Sequence, residues 1–250
     1  MRYELKARTA PEILDGSFKL YRDHLWPLLA ISAIGAVPTM LFSRLQQQHA
    51  GPGDQGGLLL SLAGIVSLLF FTVQYGALIS ASVDAYLGRP YTVGGAYLKV
   101  LPLLGGFLWV GLIWSFAVGF GLILLVIPGL YWMVLWSMWP QALIVENKRG
   151  WEALNRSRAL AKGAFWKLAL LLFLVAVVQY ALIFGARAAL PHAIMAIPVL
   201  GALLTAIPSV VLFPLPPILL TLFYFDGRIR HEGWDLEMKA AEAAPSGAAA

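Results

Sequence analysis

Apolar residues in this chain come in long unbroken runs, separated by short polar breaks. The runs cover roughly 25–43, 58–86, 101–126, 130–146, 165–186 and 203–225. They approach the ~20 residues that a helix needs to cross a ~30 Å hydrocarbon layer. The pattern predicts six transmembrane helices. A membrane barrel would show alternating segments of ~10 residues, and the chain has none. The breaks carry signals of their own. Residues 45–57 are rich in Gln, Gly, Pro and Asp and read as a loop. Gly88-Arg89-Pro90 ends the second helix, because proline lacks an N–H and disfavours helix before it. Pro128-Gly129 predicts a tight turn between the third and fourth runs, and Pro140 lies within the fourth. Residues 190–202 are broken by proline and admit an outer loop or a short surface helix. The sixth run holds Pro208, Pro214, Pro216 and Pro217, so it is not a regular straight helix throughout.

Two polar segments have helical patterns. Ahead of the first run, Thr9-Ala10-Pro11-Glu12 has the spacing of a capping box. Leu14, Phe18, Tyr21 and Leu25 follow at helical spacing. An amphipathic helix on the membrane surface fits this pattern, and so does an extension of the first span. The first run starts late and lacks a small-x-small cleavage site, so it reads as a retained span. The second segment, Glu146 to Gly163, joins the fourth and fifth runs. On a 3.6-residue helix, Ala153, Leu154, Ser157, Leu160 and Ala161 share one face. Glu152, Asn155, Arg156, Arg158 and Lys162 share the other. Glu152 and Arg156 stand in the favourable i,i+4 order, and Gly163 is placed to cap the C-terminus.

Composition agrees with the pattern, and charge adds orientation. The chain has 250 residues, 60% hydrophobic and 12% charged, about half the charged share of a soluble domain. Sixteen of the 18 Lys and Arg residues fall on the side that holds both termini. Only Arg44 and Arg187 fall on the other. Positive residues stay cytoplasmic. The expected fold is therefore all-α and polytopic, with six transmembrane helices and both termini cytoplasmic. Residues 1–24 form a cytoplasmic amphipathic segment and 25–225 the membrane domain. Residues 226–250 form a cytoplasmic tail, Ala-rich and disordered from about residue 240. The net charge of +5 follows from this topology and implies no nucleic acid.

Small residues recur every fourth position at Thr72, Gly76, Ser80 and Asp84, and at Gly111, Ser115 and Gly119. Such stripes let helices approach closely in lipid. Trp132, Trp136 and Trp139 read as an aromatic face. Tyr131 and Trp132 suit the outer interfacial belt, and Trp26, Trp151 and Trp166 the inner one.

The candidate chemistry is electrostatic. There is no cysteine, and His24, His49, His192 and His231 are scattered, so neither a metal nor a cofactor is expected. Asp84, Glu146 and Asp226 fall at the expected C-terminal ends of the second, fourth and sixth helices. A carboxylate there opposes the helix dipole and needs a cation. The expectation is one inner-face cluster of Asp84, Arg89, Glu146, Glu152, Arg156, Arg158, Asp226, Arg228, Arg230 and Glu232. Arg156, Arg158 and Lys162 are candidate contacts for membrane lipid with anionic headgroups.

Several of these motifs resemble a known family. They are Ile127-Pro128-Gly129-Leu130-Tyr131, Pro140, Val145-Glu146, Glu152-Ala153-Leu154, Arg156-Ser157 and Leu160 to Gly163. They look like the membrane domain associated with bacterial glycerophosphoryl diester phosphodiesterases and like the YciC-like inner-membrane proteins. The opening fits too, with Ile13-Leu14-Asp15, Phe18, Leu20, Tyr21 and Arg22. So does the tail, with Tyr224, Asp226, Arg228, Arg230, Glu232-Gly233 and Asp235. Gly227 departs from the pattern, where a larger apolar residue is expected. The resemblance implies a six-helix bacterial inner-membrane protein without phosphodiesterase activity, since the hydrolase of that family is a separate soluble domain.

Three functional readings follow. A non-catalytic accessory or lipid-interacting membrane protein accounts for the inner charges and the amphipathic fourth loop. A small transporter or channel would use the proline-rich sixth run and the small-residue stripes, but the midplane lacks the ionisable residues that mark a transport path. An intramembrane enzyme would need paired acid-base groups, and His24 and His192 lie near opposite faces.

Overall fold

The computed structural model describes residues 6–48, 57–189, 198–234 and 236. His49, His192, most of the expected loops at 45–57 and 190–202, and the expected disorder beyond residue 240 lie outside them. Among the described residues every regular element is helical. The chain runs through α1 (Ala10–Asp23), α2 (Leu25–Gln48) and α3 (Gly57–Tyr86). Next come α4 (Val93–Val100), a 3-10 turn at Leu101–Leu103, α5 (Leu104–Leu124), α6 (Val126–Leu135) and α7 (Trp139–Glu146). The last four are α8 (Trp151–Ala161), α9 (Phe165–Ala189), α10 (Pro198–Leu212) and α11 (Leu215–Glu232). Five stretches are long and apolar enough to cross a bilayer: Leu25–Gln46, Gly57–Tyr86, Val93–Leu124, Phe165–Ala189 and Ala206–Glu232.

The fourth expected run is not one of these. It is split between α6 and α7 at Trp136–Met138. Pro140 supplies no N–H to the Trp136 carbonyl and its ring crowds the preceding turn. The gap is closed from another helix. Ser157 of α8 donates its hydroxyl to the Leu135 carbonyl at 2.8 Å and accepts the Met138 N–H at 3.0 Å. Trp139 consequently leaves the expected aromatic face and packs on Phe107, while Trp132 stacks on Trp136.

Pro38 and Pro208 stay inside α2 and α10, while Pro128, Pro216 and Pro217 fall in first turns. Pro128-Gly129 is not the turn. The chain reverses at extended Leu125, and Pro128 lies in the first turn of α6. Gly129 is needed there because a Cβ would lie 2.5 Å from the Leu122 nitrogen. The sixth run breaks at Phe213–Pro214, and Pro216 and Pro217 enter the first turn of α11. That helix then continues to Glu232 and not to residue 225. Asp226 is therefore internal to a helix, whereas Asp84 and Glu146 do stand at or near helix C-termini.

The buried core lies along α3 and α11. Every residue from Gly76 to Tyr86 is buried, as is every residue from Pro217 to Gly227. A helix buried all round needs neighbours on every side. Small residues admit them: a Cβ on Gly76 would lie 2.6 Å from Val100 Cγ1. Tyr86 and Phe225 stack across the core at 5.0 Å. The second small-residue stripe does no such packing, since Ser115 is exposed and Gly119 faces open space. Helix α1 is separate from α2 and packs on α11. It buries Ile13, Ser17 and Leu20, and Phe18 of the expected stripe is exposed. The buried stripe lies one residue, or about 100°, from the expected one. Away from the core, Leu62 and Phe70 of α3, Phe116 and Ile123 of α5, and Phe173 and Phe184 of α9 are exposed. This apolar surface fits a multi-pass membrane protein.

Ser157→Ala strands two backbone groups at the α6–α7 break. Each stranded group costs about 1–3 kcal/mol. The variant should melt below wild type in detergent, while Asn155→Ala on the exposed side of α8 should not. Superimposable melting curves for Ser157→Ala and wild type would show that the bridge does not stabilise the break.

Candidate functional site

Helix α11 carries polar groups on two faces. Tyr224, Arg228 and Glu232 follow at i,i+4 spacing on one. They meet Glu146, the last residue of α7, and Arg156 of α8. Arg156 donates to Glu146 Oε1 through Nη2 at 2.6 Å and through Nε at 2.9 Å, and it also pairs with Glu232. Arg228 Nε lies 3.2 Å from Glu232 and 3.7 Å from Glu146. The Tyr224 hydroxyl donates to Glu146 as well. Two carboxylates and two guanidiniums thus form a neutral, half-buried knot. The Glu232 carboxylate, ahead of Glu146, strengthens the hold of Arg156 on its proton.

The other face carries Asp226 and Arg230. The Asp226 side chain is only 2% exposed. Its Oδ1 accepts the Arg8 N–H at 2.6 Å. Its Oδ2 accepts from Lys167 Nζ at 2.8 Å and from Arg230 Nε at 3.0 Å. Lys167 and Arg230 both donate to the Arg8 carbonyl as well, each at 2.6 Å. The Arg8 guanidinium lies 5.4 Å from the centre of the Tyr86 ring, within cation–π range. Arg8 is placed by the expected capping box. Glu12 Oε2 accepts the Thr9 N–H at 2.7 Å and its hydroxyl at 2.8 Å.

The expected single cluster is therefore three groups. Glu146, Arg156, Arg228 and Glu232 form one, and Asp226 and Arg230 belong to a second. Asp84 stands apart, paired with Lys99 at 2.5 Å. Arg89 gives Asp84 only a backbone bond, from its N–H to the Asp84 carbonyl at 2.8 Å. Among the described residues Glu152 and Arg158 make no ion pair. Arg156 turns to Glu146 and Glu232, which leaves the expected Glu152–Arg156 pair unformed. Sequence reasoning missed Arg8, Lys99, Lys167 and Tyr224 as partners. Lys167 was detectable as an isolated charge at the start of an apolar run.

Beside Asp226, Arg8, Lys162, Lys167, Arg230 and His231 line a cleft of 520 Å³, with Phe165 and Trp166 at the start of α9. Of the three expected lipid contacts, only Lys162 lies in it. Arg156 is committed to carboxylates, and Arg158 is exposed on α8. The carboxylates are engaged by cations and backbone donors, so they serve as anchors. Among the described residues the charged side chains lining the cleft are cations, with Asp226 behind them, and this arrangement can hold an anion. The chain matches no protein-family model, no curated protein and no solved structure.

Glu146→Lys should destabilise the protein by about 2 kcal/mol, because it leaves cations facing one another in a half-buried site. Glu152→Lys, on the exposed face, should change stability by less than about 0.5 kcal/mol. Equal melting temperatures for the two variants would show that the knot does not hold α7, α8 and α11 together.

The cap responds to pH. Hydrogen bonds from Thr9, its backbone N–H first, hold the Glu12 carboxyl below its usual 4.5. The folded state favours the carboxylate, so this contribution is complete above the unfolded value and is lost as pH falls through the folded one. Glu12→Gln should melt below wild type at neutral pH, and the two curves should converge once the pH falls well below 4.5. A constant gap would mean that the charge of Glu12 contributes nothing to the cap.

Proposed function

We propose that this chain is a six-crossing protein of the bacterial inner membrane, with both termini cytoplasmic. In this reading it is a non-catalytic accessory protein that engages lipid at its cytoplasmic face, related to the membrane domains of the glycerophosphoryl diester phosphodiesterases. The observation that carries the reading is the gathering of cations at one end of an otherwise apolar bundle. Lys167 lies in the first turn of α9 among Arg8, Asp226 and Arg230. Arg187 lies 20 residues later in the same helix, about 30 Å away. The start of α1 and the end of α11 meet at the cation-rich end. Helices α6 and α7 supply the sixth crossing as a broken pair, and together they span roughly 30 Å if laid end to end. Burial of Asp226, and the cations that engage both Asp226 and Glu146, argue against acid-base chemistry at those groups. Exposed Trp26, Trp151 and Trp166 suit the inner interfacial belt.

The absence of cysteine from the sequence makes the topology directly testable. A single cysteine at Asn155 or Arg187 provides one probe for each side. A membrane-impermeant maleimide should label Arg187→Cys in intact spheroplasts and Asn155→Cys only after permeabilisation. The opposite labelling pattern would refute cytoplasmic termini, and labelling of both sites in intact cells would refute the arrangement of crossings.

A further inference from the structure

We propose that the cleft between the start of α1, the start of α9 and the end of α11 is a binding site for the phosphate group of an anionic phospholipid. The proposal rests on the lipid-engaging reading above and assigns that contact to a particular site. The cleft volume of 520 Å³ lies within the ~300–1,000 Å³ of small-molecule sites. Lys162, Lys167 and Arg230 bring three formal positive charges to its lining, and Asp226 stands behind them with one negative charge.

Two of these cations are already ordered. Asp226 and the Arg8 carbonyl hold both Lys167 and Arg230. Little side-chain entropy remains to be lost when a ligand arrives. Donors also remain. An ammonium has three N–H groups and a guanidinium five. Lys167 spends two on Asp226 and Arg8, and Arg230 spends one Nε and one Nη2 hydrogen on the same partners. Among the described residues, Lys162 and His231 have no side-chain partner. The first-turn N–H groups of α9 lack helical acceptors and carry the positive end of the helix dipole. Gly163, at φ +81°, allows the chain to turn sharply between Lys162 and that helix start.

The same wall distinguishes a lipid from a soluble phosphate. Trp166 is 82% exposed at the first turn of α9. Leu170, Phe173 and Leu174 continue an exposed apolar surface along the helix. A headgroup phosphate can enter the cleft while its acyl chains lie along this surface. Free phosphate would use the cations and leave the apolar surface unused.

The test uses full-length protein, delipidated in neutral detergent and titrated with phosphatidylglycerol or phosphatidylcholine, with bound lipid counted by native mass spectrometry. Wild type should prefer phosphatidylglycerol. Lys162→Gln breaks no intramolecular bond and should weaken that binding about fivefold, the effect of one cation near a headgroup. Arg230→Gln should weaken it further, with its melting curve recorded alongside, and Trp166→Ala should weaken it without altering charge. Phosphatidylglycerol preference unchanged in Lys162→Gln and Arg230→Gln would overturn the cleft and leave the broader lipid reading standing. No preference in wild type would overturn both. A third arm adds inorganic phosphate as competitor. Its failure to displace the lipid at concentrations matching the lipid supports the assignment, and full displacement there would assign the cleft to free phosphate instead.

Discussion

A carboxylate inside an apolar helix must find cations, and Asp226 imposes that demand on the whole molecule. Removing an ion from water costs several kcal/mol unless its partners are well placed. Asp226 sits in the continuously buried part of α11, so water cannot serve it. Its partners come from the segment before α1, from the first turn of α9 and from the next turn of its own helix. The Arg8 carbonyl accepts from the same two cations, which makes the site a closed set of bonds. Docking of α1 on α11 and placement of α9 follow from that set. The cleft follows as well, because the cations that neutralise Asp226 also form its wall.

The second organising contact is steric. Helix α8 lies against α11 at Gly227, where a Cβ would sit 3.2 Å from the Leu160 Cβ and 3.3 Å from its carbonyl oxygen. The larger apolar residue expected there would push α8 away. Two other functions of α8 depend on this approach. Arg156 reaches Glu146 and Glu232, and Ser157 reaches the backbone break between α6 and α7. One glycine therefore supports an ion-pair knot and the repair of a broken helix. The glycine at 227 has a local packing cause.

Elements with strong periodicity were legible in the sequence. The five residues assigned to the inner face of α8 are the five that are buried, because a short amphipathic helix has one stripe and one packing partner. The Thr9–Glu12 cap was legible because it is local. The break at Trp136–Met138 was not. Membrane helices often tolerate proline when a neighbour satisfies the freed groups, and here the neighbour is a serine two helices away in sequence. The division of the charge cluster was hidden by a boundary. Ending the sixth helix at residue 225 leaves undefined which face each tail arginine takes. Continuing it to Glu232 puts residues 224, 228 and 232 on a different face from 226 and 230, since two residues turn the helix by about 200°. The helix limit decides which arginine meets which carboxylate.

The same helix extension bears on where the bilayer ends. Asp226 lies more than one turn before the end of α11, and its cations therefore stand deeper than the helix terminus. Trp166 precedes Lys167 in the chain and faces outward, at the boundary between charged and apolar surface. Tryptophan favours that boundary because its ring is apolar and its N–H is polar. In the proposed orientation, a basic cleft beginning at this level meets the headgroup layer and not bulk cytoplasm. Electrostatic attraction in that layer is screened over about 8 Å at physiological salt, a distance that a headgroup phosphate bridges by direct contact. A buried acidic residue at such a depth would otherwise repel anionic lipid. Enclosing Asp226 behind Lys167 and Arg230 reverses the local sign, so the group that holds the fold together also leaves a positive wall on the cleft.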